Sequence, residues 1–135
     1  MVGSKKDPLE SIAEQIDETV KNKWISKGIP SALKTKTKQT VAGVIKSLTN
    51  ITKELHKKKH GLTFMIDEMG KFLDYASSVG SDLNLFQEIA ENFSNLRLNK
   101  EGNSLFIGIL HQPFEEYARS LGRTIQEDWQ KIQGR

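Results

Sequence analysis

The chain has 135 residues, with 20 Lys and Arg against 17 Asp and Glu, a formal net charge of +3 and no cysteine. That length suits one domain with a modest core, and 36% hydrophobic with 27% charged residues describes a soluble, rather polar protein and excludes a disordered one. No apolar run approaches a membrane span or a signal-peptide core, and disulfide and thiolate chemistry are excluded, so a cytoplasmic chain that does not enter a membrane is expected.

Asp7-Pro8-Leu9-Glu10 predicts a helix start: Asp7 as cap, Pro8 at the first helical position, Glu10 where a capping-box acid belongs. Leu9, Ile12, Ala13, Ile16 and Val20 then recur at helical spacing, and Trp24 extends the same stripe. Gly28-Ile29-Pro30-Ser31 breaks the pattern as a turn or loop. After the basic Lys34-Thr35-Lys36-Thr37-Lys38, a second helix is expected from about Thr40, carrying Val41, Val44, Ile45, Leu48, Ile51 and Leu55 inward. It ends in Lys57-Lys58-Lys59-His60-Gly61, where cations suit a helix C-terminus and glycine a stop. Residues 34–60 hold eight lysines against one acid, Glu54. That excess fits either contact with a nucleic-acid backbone or a solvated helix face, and no aromatics interleave it.

Gly61-Leu62-Thr63-Phe64-Met65-Ile66-Asp67-Glu68 organises the rest. An uncharged run this short, rich in strand formers, predicts a strand buried on both faces. Two acids at its carboxyl end project where open α/β sheets place ligands. An Asp able to hold Mg²⁺ through water beside a Glu able to activate a water is the division of labour that nucleotide hydrolysis requires. The same pattern also occurs as plain strand-to-helix punctuation.

Phe72, Leu73, Tyr75, Ala76 and Val79 predict a short amphipathic helix stopped by Gly80. Ser81-Asp82 restarts a longer one with Leu83, Phe86, Ala90, Phe93 and Leu96 on one face, aromatic residues assigned to the core. Lys100-Glu101-Gly102-Asn103 is a turn, and Ser104 to Leu110 is a second buried strand ending in His111-Gln112. Pro113 opens a helix with Phe114, Tyr117, Ala118 and Leu121 inward, and Thr124-Ile125-Gln126-Glu127 opens another with Ile125, Trp129 and Ile132. The order predicts an α/β domain with parallel strands and crossover helices, although two strands are few for such a sheet.

Met65-Ile66-Asp67-Glu68-Met69-Gly70-Lys71-Phe72-Leu73-Asp74-Tyr75-Ala76 resembles the Walker B strand and following helix of large bacterial AAA-like P-loop ATPases, many of them linked to phage defence. Phe86-Gln87-Glu88-Ile89-Ala90-Glu91, Leu110-His111-Gln112 with Phe114 and Tyr117, and Asp128-Trp129 with Lys131-Ile132-Gln133-Gly134-Arg135 continue the likeness. It covers residues 61–135 densely. Residues 1–60 match only in general, as the end of a preceding strand (Met1-Val2-Gly3) and its helices. The resemblance implies one partial P-loop NTPase-like domain over 1–135: a parallel sheet flanked by helices, truncated at its N-terminus. Residues 1–60 form a mainly helical part, and 61–135 the Walker B and sensor part. It further implies Mg²⁺ and ATP as ligands, Asp67 in the metal's shell, Glu68 polarising the attacking water, and Gln112 or alternatively His111 as sensor. Arg135, ahead of Arg119 and Arg123, is implied as a phosphate contact or arginine finger.

The sequence contains no Gly-x-x-x-x-Gly-Lys-Ser/Thr, so the phosphate cradle of that family is missing. The expectation is a fragment beginning after the P-loop, with negligible ATP hydrolysis alone. The strand at 104–110 then keeps an unpaired apolar edge, which predicts dimerisation, a P-loop ATPase partner that supplies a strand, or rearranged packing. Two alternatives stand beside it: a non-catalytic interaction or regulatory module, and a basic helical nucleic-acid binder using residues 34–60.

Overall fold

The computed structural model describes residues 1–3, 6–21, 40–79, 84–113 and 116–117. Trp24, the 28–31 turn, the 34–38 lysine run, the Gly80 to Leu83 break and the segments after Tyr117 lie outside them. The described residues form an α/β structure of four helices and a two-stranded parallel sheet: α1 Pro8–Thr19, α2 Val41–Lys57, β1 Leu62–Ile66, α3 Gly70–Val79, α4 Asn84–Leu98 and β2 Ser104–Gly108. No helix among them is long and apolar enough to cross a membrane.

Local chemistry sets the helix ends. Asp7 Oδ1 accepts from the Leu9 and Glu10 amides, with Pro8 in the first turn, where its missing N–H costs nothing. Thr40 Oγ1 accepts from the Gly43 amide and fixes the start of α2. α2 stops differently from the expectation. The residue that turns left-handed is Lys59 (φ 62°), not Gly61. The Lys59 amide bonds the His56 carbonyl and the His60 amide reaches the Leu55 carbonyl, which satisfies carbonyls the helix would otherwise orphan. α4 ends in the same motif, with Lys100 (φ 57°) bonded to Arg97 and Glu101 to Leu96. Both strands are therefore entered from a helix through a left-handed lysine.

β1 and β2 pair in parallel register from Leu62↔Ser104 to Ile66↔Gly108. Leu62, Phe64 and Ile66 are buried beneath the helices, but Thr63 and Met65 are exposed, so β1 is not covered on both faces as its unbroken apolar run implies. Its hydrophobic run records strand propensity, and burial of the second face depends on a layer that the described residues do not provide. β2 is corrected in the same way: it ends at Gly108 rather than 110, and Leu105 and Ile109 are exposed. Among the described residues β2 has no second neighbour, whereas Val2 bridges in parallel to Asp67 beyond β1.

One aromatic ladder ties sheet to helices. Phe64 stacks on Phe106 across the strands (5.8 Å), Phe106 on Phe86 of α4 (6.4 Å), and Phe86 packs against Phe72 of α3 (6.3 Å). These rings are core, as the sequence spacing implies. α1, the Val20 that follows it and α2 add Ile12, Ile16, Val20, Leu48 and Ile51 to the same cluster. On α3 the expected stripe holds for Phe72, Leu73 and Ala76, while Val79 at its end faces solvent.

Candidate functional site

Beyond Ile66 the backbone turns sharply and is clamped from two sides. On one side the Asp67 amide donates to the Met1 carbonyl (2.9 Å) and the Gly3 amide to the Asp67 carbonyl (2.6 Å). On the other, the Ile109 amide bonds the Ile66 carbonyl and the Met69 amide bonds the Ile109 carbonyl, both at 2.9 Å. Gly3 is required by this approach: a Cβ there would run into the Glu68 carbonyl. Gly70 fits its place for a similar reason, since the Tyr117 ring occupies the volume a Cβ would need. Between the clamps Glu68 adopts φ 53°. A non-glycine residue held left-handed costs roughly 1–2 kcal/mol, and such residues persist where surrounding bonds over-determine them.

The side chains at this corner are ordered by one another. Asp67 Oδ1 accepts from the Glu68 amide at 2.9 Å, which fixes the orientation of its half-exposed carboxylate. Its second oxygen has no protein partner among the described residues. Glu68 Oε2 accepts from Lys71 Nζ, and Glu68 Oε1 lies 3.5 Å from His111 Nε2. The second distance exceeds that of a good N–H···O bond, so His111 acts on Glu68 mainly through charge. The Lys71 hydrogen bond, with smaller help from the Lys71 and His111 charges, holds the Glu68 carboxyl below its ordinary value against a modest desolvation cost.

A carboxylate so paired is an anion that orients cations and donors. Its pairing with Lys71 makes it a weaker base than a free carboxylate. Asp67 is the better placed of the two to meet an added ligand. Among the described residues no group of three or more His, Asp or Glu converges as a metal cage. That is compatible with Mg²⁺, which keeps most of its waters and takes one or two carboxylates plus substrate phosphates. The cavity of about 280 Å³ between α1, α2 and β1 has neither acid in its lining.

Of the residues predicted from sequence, Asp67, Glu68 and His111 meet at this rim. Gln112 is one residue further on and exposed, in a bend four residues past the end of β2, with no bond to either acid among the described residues. Arg119, Arg123 and Arg135 lie outside the described residues. One contributor escapes the sequence reading: Lys71, although the Glu68–Lys71 spacing of three across a helix start signals a pair. The strand end expected at Met1-Val2-Gly3 is present as a single parallel bridge from Val2 to Asp67, and what the sequence does not signal is that it clamps the Asp67-Glu68 corner. No family model, curated protein or solved structure matches the chain.

Proposed function

We propose that the chain supplies the acidic rim of an AAA-like P-loop ATPase site. Asp67 belongs in the shell of a Mg²⁺ ion and Glu68 beside the attacking water. Gln112 or His111 is the polar sensor at the neighbouring strand, and Arg135, ahead of Arg119 and Arg123, the phosphate contact or arginine finger. The observation that supports this is the parallel register, which carries Asp67-Glu68 and His111 to the same ends of adjacent strands. When bound, Mg²⁺ would neutralise charge on the nucleotide phosphates. The Asp67 carboxylate is oriented for such an ion by the Glu68 amide, and Lys71 sets whether Glu68 is engaged or released.

The phosphate-cradling loop has to come from outside residues 1–135, because no such motif occurs within them. The exposed β2 edge offers a place for a further strand, from a second copy or from a P-loop ATPase partner. The chain alone is therefore expected to show no Mg²⁺-dependent ATP turnover; turnover abolished by Glu68→Gln would contradict the need for an external loop. The rim itself is tested by titrating Mn²⁺ into ¹⁵N-labelled protein. Paramagnetic broadening should centre on Asp67 and Glu68, spare Leu62, and vanish in Asp67→Asn. Millimolar Mn²⁺ that leaves these amides sharp, or broadens them equally in the variant, would defeat the proposal.

A further inference from the structure

The opposite end of the same two strands carries a different surface. The turns that end α2 and α4 lie side by side: the Leu62 amide bonds the Asn103 carbonyl (3.0 Å), and Lys53 Nζ on α2 pairs with Glu101 in the α4 turn (2.9 Å). Residues 56–61 and 97–101 are all exposed. Among the described residues these turns present Lys53, Lys57, Lys58, Lys59, Arg97 and Lys100 beside the acids Glu54 and Glu101. The two acids are already engaged, Glu54 by Lys57 (2.5 Å) and Glu101 by Lys53.

Cations at a helix C-terminus often do no more than offset the helix dipole, and magnitudes decide against that here. Two helix ends contribute about −0.5 charge each, whereas the basic groups exceed the acids by four full charges. The acidic rim cannot cancel the surplus either. Five strand residues at about 3.3 Å each separate the ends, further than the roughly 10 Å Debye length at 0.1 M salt. Lys59 and Lys100 also stand on left-handed backbone at equivalent places in the two turns, where glycine would be the unstrained choice. A cation stands at each despite the conformational cost.

From this juxtaposition we infer that the paired turns, with Lys59, Lys100 and Arg97 foremost, form a contact surface for the phosphate backbone of duplex nucleic acid. Among the described residues Leu98 is the large apolar side chain exposed within these two turns. One leucine does not anchor a membrane-inserting face, and without an aromatic the surface lacks a platform for stacking unpaired bases. What remains is sequence-independent electrostatic recognition.

Fluorescence anisotropy with two unrelated labelled 20-base-pair duplexes tests it between 50 and 200 mM salt. Three phosphate contacts give a slope of log K against log salt of about −2.7, alike for both sequences. The double variant Lys59→Gly/Lys100→Gly should reduce the slope to about −0.9 while melting no lower than the parent, since glycine suits both backbones. No duplex binding at 50 mM salt, or a slope unchanged in the double variant, would overturn the inference. So would binding lost only when Lys34, Lys36 and Lys38 are neutralised, or a preference for anionic vesicles that Leu98→Asp removes.

Discussion

The two ends of one strand pair are built by opposite means. At the basic end, two helices finish in the same backbone motif and present left-handed lysines, and the ordering is done by amide-to-carbonyl bonds within each turn. At the acidic end, strands and the N-terminal residues clamp the backbone, and side chains order each other: Glu68 against Lys71 and His111, Asp67 against the Glu68 amide. The first arrangement leaves a surplus of exposed cations over the two acids that pair with Lys53 and Lys57. The second commits Glu68 to Lys71, so a ligand that binds Glu68 competes with Lys71, whereas one at the second oxygen of Asp67 does not.

What both ends share is the aromatic ladder, and its removal should have the largest effect. Phe86, 1% exposed and packed between Phe72 and Phe106, should cost about 3–5 kcal/mol as Phe86→Ala, measured by urea unfolding. Amide exchange should then accelerate at both strand ends; acceleration at one alone would show that they are independent. Gly3→Ala comes next and separates the ends. Its Cβ collides with the Glu68 carbonyl, so a loss of about 1–3 kcal/mol is expected, with exchange at Asp67 accelerated and at Leu62 unchanged.

Much of this was legible in the sequence because it is local. Asp7 and Thr40 mark helix starts through side-chain capping chemistry, and the 62–66 and 104–110 runs announce strands by composition and length, the second ending two residues early at Gly108. Less was legible where the outcome depends on what lies across space. Thr63 and Met65 look like core until the second face of β1 is found exposed. His111 and Gln112 are adjacent and equally polar, and only the path of the chain beyond Ile109 decides which reaches Glu68. Lys59 took the left-handed position although Gly61 stood two residues away, because the motif counts from the last helical turn and not from the nearest glycine.

Smaller effects sharpen the contrast. Lys59→Gly relieves a strained backbone at the basic end and should raise stability by about 0.5–1 kcal/mol, the steric relief less the extra entropy of glycine in the unfolded chain. The smallest effect is a pH dependence confined to the acidic end. Glu68 is held below its ordinary value of 4.5, so its contribution to stability is complete above that value and is lost as pH falls through the lower folded one. In Glu68→Gln this part of the acid limb should disappear, bringing variant and parent together at the acidic extreme. A parent whose stability over that range matches the variant's throughout would show that the Lys71 pairing is not maintained in solution.

The central claim is that β1 and β2 run in the same direction with Thr63 opposite Leu105 and Met65 opposite Ile107. The cysteine-free background permits a direct measurement of it by oxidative cross-linking of cysteine pairs. Thr63→Cys with Leu105→Cys and Met65→Cys with Ile107→Cys should each close an intramolecular disulfide readily, and Thr63→Cys with Ile107→Cys should not. Efficient closure of the 63–107 and 65–105 pairs instead would mean antiparallel strands, and would carry His111 away from Asp67 and Glu68.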